Sequence, residues 1–241
     1  MTRLREELVA WSVSGRVALG LFVVPFVVAI ALAVLRGSDR GLAFSLIGED
    51  HVLEWLQAVG FAVAGIFGAF AAGLLLRQGN RFPALAYLLF AAGCLFVAGE
   101  EISWAQRLIG FGTPQVLTER NDQGETTLHN VGPVEESFDR ALLVIALYGT
   151  IAPWAVSVLR RSSTLFVPPL FLTSAFLIPV AHKLAEMVEL DEFPYDQFYN
   201  EVKEFSFAFG IAAFSVLSWR LRRRGAVSTR RGRALRQATS S

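Results

Sequence analysis

Cysteine is almost absent: Cys94 is the only one, and it lies inside an apolar run. That excludes an intramolecular disulfide and any thiolate zinc ribbon, and it says nothing about the redox compartment. Charge is scarce as well. Only 18% of the 241 residues are charged and 54% are hydrophobic, with a mean hydropathy of +0.47, so the chain falls outside the soluble globular class. Histidine occurs three times, at His51, His129 and His182. No internal repeat or low-complexity block is present, and the arginine-rich stretch after Trp219 is the one clear shift in composition.

What the chain does have is long apolar runs. A bilayer core of roughly 30 Å takes about 20 apolar helical residues to cross. Six runs meet that need: Val17 to Leu35, Val52 to Leu76, Phe82 to Ser103, Ala141 to Leu159, Leu165 to Met187 and Phe205 to Leu221. The expected fold is therefore all-α, a polytopic membrane bundle of six transmembrane helices. Residues 1–221 form the transmembrane domain, with a long outer loop at 106–140, and residues 222–241 form a basic, disordered cytoplasmic tail. Ala31-x-Ala33 has the look of a signal-peptidase site, but the apolar stretch is long for a signal peptide, which favours an uncleaved first span.

Arginine placement orients the spans. Fifteen of the 22 basic residues lie before the first span, after the second and fourth, and after the sixth. Both termini are thus expected on the cytoplasmic side of a bacterial inner membrane. The acids, which that rule does not use, then separate: Glu6 and Glu7 fall inside and the other 19 of 21 fall outside, with all three histidines. The outer face is the chemical face.

Depth follows from the third span. Eighteen uncharged residues separate Arg81 from Glu100, a helical rise of about 27 Å, so Glu100 and Glu101 lie near the outer edge of the hydrocarbon. A carboxylate there needs a partner, a proton, a cation or an aqueous cavity. If the helix continues, Glu100, Trp104 and Arg107 share one face, and Arg107 pairs with one acid while the other stays available. The fifth span carries His182, Glu186 and Glu189 at i, i+4, i+7 behind Pro179. Such an H-x-x-x-E pair can present an imidazole and a carboxylate to one metal ion, or simply form a helix-end hydrogen bond. Lys183 and Glu186 also offer an ordinary surface pair. His51 and Glu54 open the second span, and Glu201 and Glu204 open the sixth behind Asn200 as a possible N-cap. Glu49, Asp50 and Glu201 read as helix-start acids, whereas Glu54 and Glu204 lie one turn deeper.

The connection 106–140 has enough apolar anchors to be ordered. Thr113-Pro114 reads as the start of a short interfacial helix, and Gly132-Pro133 as the start of one running into the fourth span. Between them "NDQGETTLHN" either folds over the outer mouth, setting Glu125 and His129 against Glu100 and Glu101, or makes solvated turns.

The segments "EEISWAQR" and "NDQGETTLHN" resemble a signature of a family of bacterial multi-pass membrane proteins, E-E-[IL]-S-W-[GA]-Q-R followed by N-x-Q-x-E-x-x-L-H-N. The resemblance covers about 30 residues and implies that Glu100, Glu101, Trp104, Gln106, Arg107, Asn121, Gln123, Glu125, His129 and Asn130 are shared positions. Ala105 stands where Gly is more familiar. No activity comes with it. More distantly, the chain is similar to the ceramidase and progestin-receptor-like membrane hydrolases, seven-span bundles that hold zinc with three histidines. Six predicted spans and Glu-rich motifs depart from that pattern.

Three functions compete. The first is a metal-dependent hydrolase or transferase acting on a lipid or lipid-linked substrate. In it His129, His182, Glu186 and His51 hold a divalent ion, zinc being the candidate. Glu100, Glu101 and Glu125 supply ligand or base, with Gln106 beside them, and Arg107 positions an anionic group. The second is a transporter or a cation- or proton-handling protein, against which stands the lack of charge in the cytoplasmic halves of the spans. The third is a non-catalytic membrane subunit whose polar motifs tie the loop to the bundle. The partner is the bilayer, not nucleic acid, because the basic tail suits a surface of anionic lipid.

Overall fold

The computed structural model describes residues 2–47, 51–115, 126–128, 132–159, 166–187 and 197–238, with the backbone alone at 2, 107, 108, 132, 133, 135, 197, 198 and 226–238. The described residues are helical and contain no strand. In chain order the helices are α1 (Thr2–Trp11), α2 (Gly15–Ser38), α3 (Arg40–Ile47), α4 (Val52–Arg77), α5 (Arg81–Glu101), α6 (Gln106–Ile109), α7 (Gly132–Val158), α8 (Thr173–Met187) and α9 (Gln197–Ala238). Short 3-10 turns sit at Ser103–Ala105 and Leu170–Leu172.

Six helical stretches are long and apolar enough to cross a membrane: Gly15–Ser38, Arg40–Arg77, Arg81–Glu101, Glu136–Val158, Leu170–Met187 and Tyr199–Gly225. The chain is thus an all-helical multi-pass membrane protein by length and composition, as the apolar runs imply. Gly132 does open a helix that runs unbroken into the fourth span. Several starts differ by five residues or more. The fourth stretch begins at Glu136, five residues before the expected Ala141. The fifth stretch begins at Leu170, five residues later than expected, because Pro168 and Pro169 cannot donate to a helix and Pro169 is extended (φ −71°, ψ 154°). The helix that carries the sixth begins at Gln197, eight residues before the expected Phe205, so Asn200 is inside the helix and does not cap it. Helix α9 also continues to Ala238, so the segment expected as a disordered tail extends the helix; its Ala, Leu, Arg and Gln residues are strong helix formers.

Helix ends follow local chemistry. Ser14 caps α2 by accepting from Val17 N at 3.3 Å. Asp39 closes α2 through its N–H to Leu35 O at 2.7 Å and opens α3 by accepting from Leu42 N at 3.0 Å.

Burial is sorted by polarity. Within the spanning window of α9, 61% is buried inside the protein, against 17% for α2 and for α7, so α9 is the axis of the bundle. It is also the least apolar span, at a hydropathy of 1.2 against 2.9 for α2. Helix α4 packs along both α5 and α9, α7 along α8, and α8 against α9 and α2. Phe61, Phe176, Phe207 and Phe214 form the centre of the main core with Trp11 from α1. Small residues let the backbones approach: a Cβ on Gly65 of α4 would meet Leu95 Cγ of α5 at 2.6 Å.

Arg222 corrects the expectation that the far halves of the spans carry no charge. It is buried, donates to Tyr87 Oη at 2.9 Å and to Ser218 O at 2.8 Å, and lies 4.5 Å over the Tyr87 ring. The sequence places it one residue past the last apolar run; the Tyr87 side chain of α5 covers it.

Helix α1 is tied to the start of the fifth stretch. Glu7 Oε1 accepts from Leu170 N, the first free N–H after the two prolines, at 2.8 Å. Burial lifts the Glu7 carboxyl above its ordinary 4.5, partly opposed by that N–H. A folded state that prefers the protonated acid is most stable below the unfolded value and loses that stability as pH rises through the raised folded value. Glu7→Gln keeps an oxygen for Leu170 and should melt above the parent at neutral pH, the gap closing as pH falls towards 4.5. Gly65→Val should part α4 from α5 and cost about 1–3 kcal/mol, read by thermal unfolding in detergent.

Candidate functional site

The site begins where α5 stops. Ser103, Trp104 and Ala105 have φ of 47°, 54° and 61°, three consecutive residues in the left-handed region. L-residues avoid it at roughly 1–2 kcal/mol each. The turn breaks the helix after Glu101, so the expected single face of Glu100, Trp104 and Arg107 on a continuing helix is not formed. Trp104 instead folds back over Gly99, where a Cβ would meet the indole at 2.9 Å. Its Nε1 donates to Glu100 Oε1 at 2.6 Å, and its ring packs edge-on to Phe96 at 5.6 Å.

Glu100 is 2% exposed, and its other oxygen accepts from Leu128 N at 2.6 Å. Gln106 makes a second clamp: Oε1 accepts from Thr126 N at 2.8 Å, and Nε2 donates to Thr113 Oγ1 at 2.7 Å. Both residues, expected as catalytic, spend these contacts on holding the connection against the bundle. Glu125 and His129 flank the segment 126–128 and lie outside the described residues, as does the side chain of Arg107. Asn121, Gln123 and Asn130 of the shared signature lie outside as well, with Glu189.

Glu101 points elsewhere. It is partly exposed and feels the charges of Glu204, Glu201, Glu54 and Glu100, in that order. The ends of α4, α5 and α9 thus carry acids within electrostatic range of Glu101: Glu54 on α4, Glu100 on α5, and Glu201 and Glu204 on α9. Gln57, one turn below Glu54 and fully buried, donates from Nε2 to Glu201 Oε2 at 2.8 Å and to Glu201 O at 3.1 Å. Glu201 is therefore part of the cluster and not only a helix-start acid, because α9 starts four residues before it.

A second set adjoins the first through Glu204. Lys203 is nearly buried and lies 3.3 Å from Asp139 Oδ1 and 3.8 Å from Glu204 Oε1. Lys183 lies 2.6 Å from Glu186 Oε2 and 3.7 Å from Asp139 Oδ2, and His182 Nδ1 is 3.3 Å from Glu186 Oε1. Asp139, Pro179, Lys183, Lys203, Glu204 and Phe207 line a cavity of about 20 Å³, room for one water. His182 and Glu186 thus approach each other at one-turn spacing, but His182 Nδ1 is buried without a hydrogen-bond partner. His51 stands at the N-cap position of α4 with an exposed side chain. Among the described residues no three His, Cys, Asp or Glu side chains are placed to hold one metal ion, so His51 does not join His182 and Glu186. Zinc ligation as drawn from sequence is left to a set that includes His129.

Sequence reasoning missed Gln57, Asp139 and Lys203. Gln57 had a signal: it is a lone amide inside an apolar run, one helical turn from Glu54. Asp139 and Lys203 had none, since their pairing joins residues 64 apart.

Two substitutions test the turn. Ala105→Gly should raise stability by about 1 kcal/mol, because Gly accepts φ of 61° without the Cβ clash. Trp104→Phe should keep the ring over Gly99 yet leave buried Glu100 short of a donor, costing about 1–3 kcal/mol and speeding amide exchange at Leu128.

Comparison of the chain with protein-family models, with curated proteins and with solved structures gives no match, so the geometry of these residues carries the functional reading.

Proposed function

We propose that the chain is a membrane-embedded hydrolase or transferase whose site opens on the extracytoplasmic side and acts on a lipid or lipid-linked substrate. The orientation rests on the arginines: the acid cluster lies at the end of the spans opposite Arg77, Arg81 and the basic run after Trp219. The observation that carries the reading is Glu101, partly open at the end of α5 and within electrostatic range of Glu54, Glu201 and Glu204. Carboxylates so placed at a lipid boundary cannot all stay charged; they share protons or take up a cation. A set that takes and gives a proton readily is what general acid–base catalysis needs.

In this mechanism Glu101 moves the proton to or from the reacting group. Glu54, Glu201 and Glu204 tune that exchange, and Gln57 fixes the Glu201 carboxylate. Glu100 and Gln106 hold residues 126–128 against the bundle through Leu128 N and Thr126 N. A metal-assisted form would draw on His129 with His182 and Glu186.

A second reading has one observation in its favour. Glu201, Glu204, Ala208, Ile211, Ser215, Ser218 and Arg222 share a face of α9, and Ser215 and Ser218 are fully buried, so polar groups occur at both ends of the axis helix. That suits ion or proton passage. From Glu204 to Ser215, however, the face holds only Ala208 and Ile211 over about 16 Å. The enzyme reading is preferred for that reason.

Purified protein in nanodiscs, offered a panel of phospholipids and lipid-linked phosphates with products read by mass spectrometry, should turn over at least one class. Glu101→Gln should lower turnover by about 100-fold or more while melting near the parent. Chelator should leave the rate unchanged; loss of activity with chelator and with His129→Ala would move the reaction to the metal-assisted form. Full turnover in Glu101→Gln removes the mechanism, and proton flux in proteoliposomes abolished by the same variant would favour passage.

A further inference from the structure

The chain carries 20 arginines and only two lysines, and both lysines, Lys183 and Lys203, line the same cavity. The two residue types are not interchangeable there. A guanidinium is a wide planar fork, whereas an ammonium is a compact charge with three donors, suited to a space of about 20 Å³ with room for one water. Three helices build the wall: Asp139 comes from α7, Pro179 and Lys183 from α8, and Lys203, Glu204 and Phe207 from α9. Lys203 is 9% exposed, and its one hydrogen bond among the described residues goes from Nζ to Asp139 Oδ1 at 3.3 Å. Glu204 Oε1, at 3.8 Å, is a charged neighbour beyond hydrogen-bond reach. A nearly buried ammonium thus has two further N–H donors on the wall of a water-sized space, where an unmade hydrogen bond is costly. The space can be reached, because Asp139 and Lys183 on its wall keep 39% and 33% of their side-chain surface exposed.

The wall decides what fits. A halide accepts only and would face two carboxylates, and a metal ion or an ammonium would face two ammonium groups. A hydroxyl accepts through its oxygen and donates through its hydrogen, so it serves both signs. It gains a role if the neighbouring acids are the reaction site, a reading on which this inference rests. Glu204 joins the two places, lining the cavity and lying within electrostatic range of Glu101. We propose that the cavity seats the attacking hydroxyl of the reaction, a water in hydrolysis or an acceptor alcohol in transfer, with Lys203 orienting it and Asp139 as its base. Asp139 is the carboxylate hydrogen-bonded to Lys203, so an oxygen held by a second N–H of that ammonium lies beside it. The O–H proton passes to Asp139 as the oxygen bonds to the substrate's carbonyl carbon or phosphorus. The bond to the leaving oxygen breaks, and that oxygen takes a proton from Glu101. Water then returns the proton from Asp139, which is partly exposed, to Glu101.

The experiment uses the full chain in phosphatidylcholine nanodiscs with isotope-labelled lysine, which gives two side-chain ammonium signals by NMR, assigned with Lys183→Arg. The Lys203 signal should exchange slowly and show a contact to the protons of a held water, and chloride or inorganic phosphate should leave it in place. Fast exchange without that contact, or displacement by chloride or phosphate, overturns the site. Turnover is then measured on the lipid panel. Asp139→Asn should lower kcat by about 100-fold or more and Lys203→Met by about tenfold or more, with KM for the lipid unchanged because neither residue holds the lipid. The ammonium signal of the parent needs no substitution, so it decides the matter even where a variant fails to fold. Oxygen-18 from labelled water appearing in the product identifies water as the hydroxyl, and added glycerol carried into the product identifies an acceptor alcohol. Full kcat in both variants would overturn the assignment and leave the enzyme reading standing. A held water without turnover of any lipid would remove the reaction, and the attacking role with it, and leave the cavity as a hydroxyl site.

Discussion

The arrangement of this protein depends on one constraint: polar groups cannot face hydrocarbon. Helix α9 carries Glu201, Lys203, Glu204, Ser206, Ser215, Ser218 and Arg222, more polar side chains than any other span, and it is the most buried. The most apolar span, α2, lies at the edge and turns Leu19, Val27, Ile30 and Val34 outward. Soluble proteins sort the other way round. Once α9 must be enclosed, its neighbours are decided by what they can offer: α4 brings Gln57 to Glu201, α5 brings Tyr87 to Arg222, and α7 brings Asp139 to Lys203.

The same constraint explains why the chemistry collects at helix ends. A carboxylate deep in a span would be expensive, but one at the last or first turn can share protons with its neighbours and reach water. Three helices end at the same level and each contributes acids, so Glu101 is surrounded without any one helix carrying an intolerable charge. The left-handed turn at 103–105 then closes the floor. Its strain is offset by the Trp104–Glu100 and Leu128–Glu100 hydrogen bonds, which are short and made to a buried charge-bearing group. Gly99 is part of that device, since any side chain there would displace the indole.

This division of labour between adjacent acids separates two roles that the pair Glu100-Glu101 shares in sequence. Successive helical residues point about 100° apart, so one turns to the loop and the other to the helix bundle. Glu100 fastens the cover, and Glu101 faces the other acids. Substitution at Glu100 therefore acts first on stability of the connection, whereas substitution at Glu101 acts on the electrostatics of the site.

Much of the fold was legible from residues alone. Six apolar runs set six spans because backbone polar groups in lipid must be satisfied within a helix, and that depends on local composition and length. That the third span ends at Glu100 and Glu101 followed from counting residues after Arg81, and the His182–Glu186 approach from one-turn spacing, both properties of a single helix. What tertiary structure decided is everything that joins helices. The direction of the chain after Ile102 needed a left-handed turn that favourable contacts elsewhere sustain. The enclosure of Arg222, the seat of Gln57 against Glu201 and the Asp139–Lys203 pair join residues 135, 144 and 64 apart, and no periodicity along the chain encodes such meetings. They arise because α9 has to be covered, and the helices that cover it are the ones with polar partners to give.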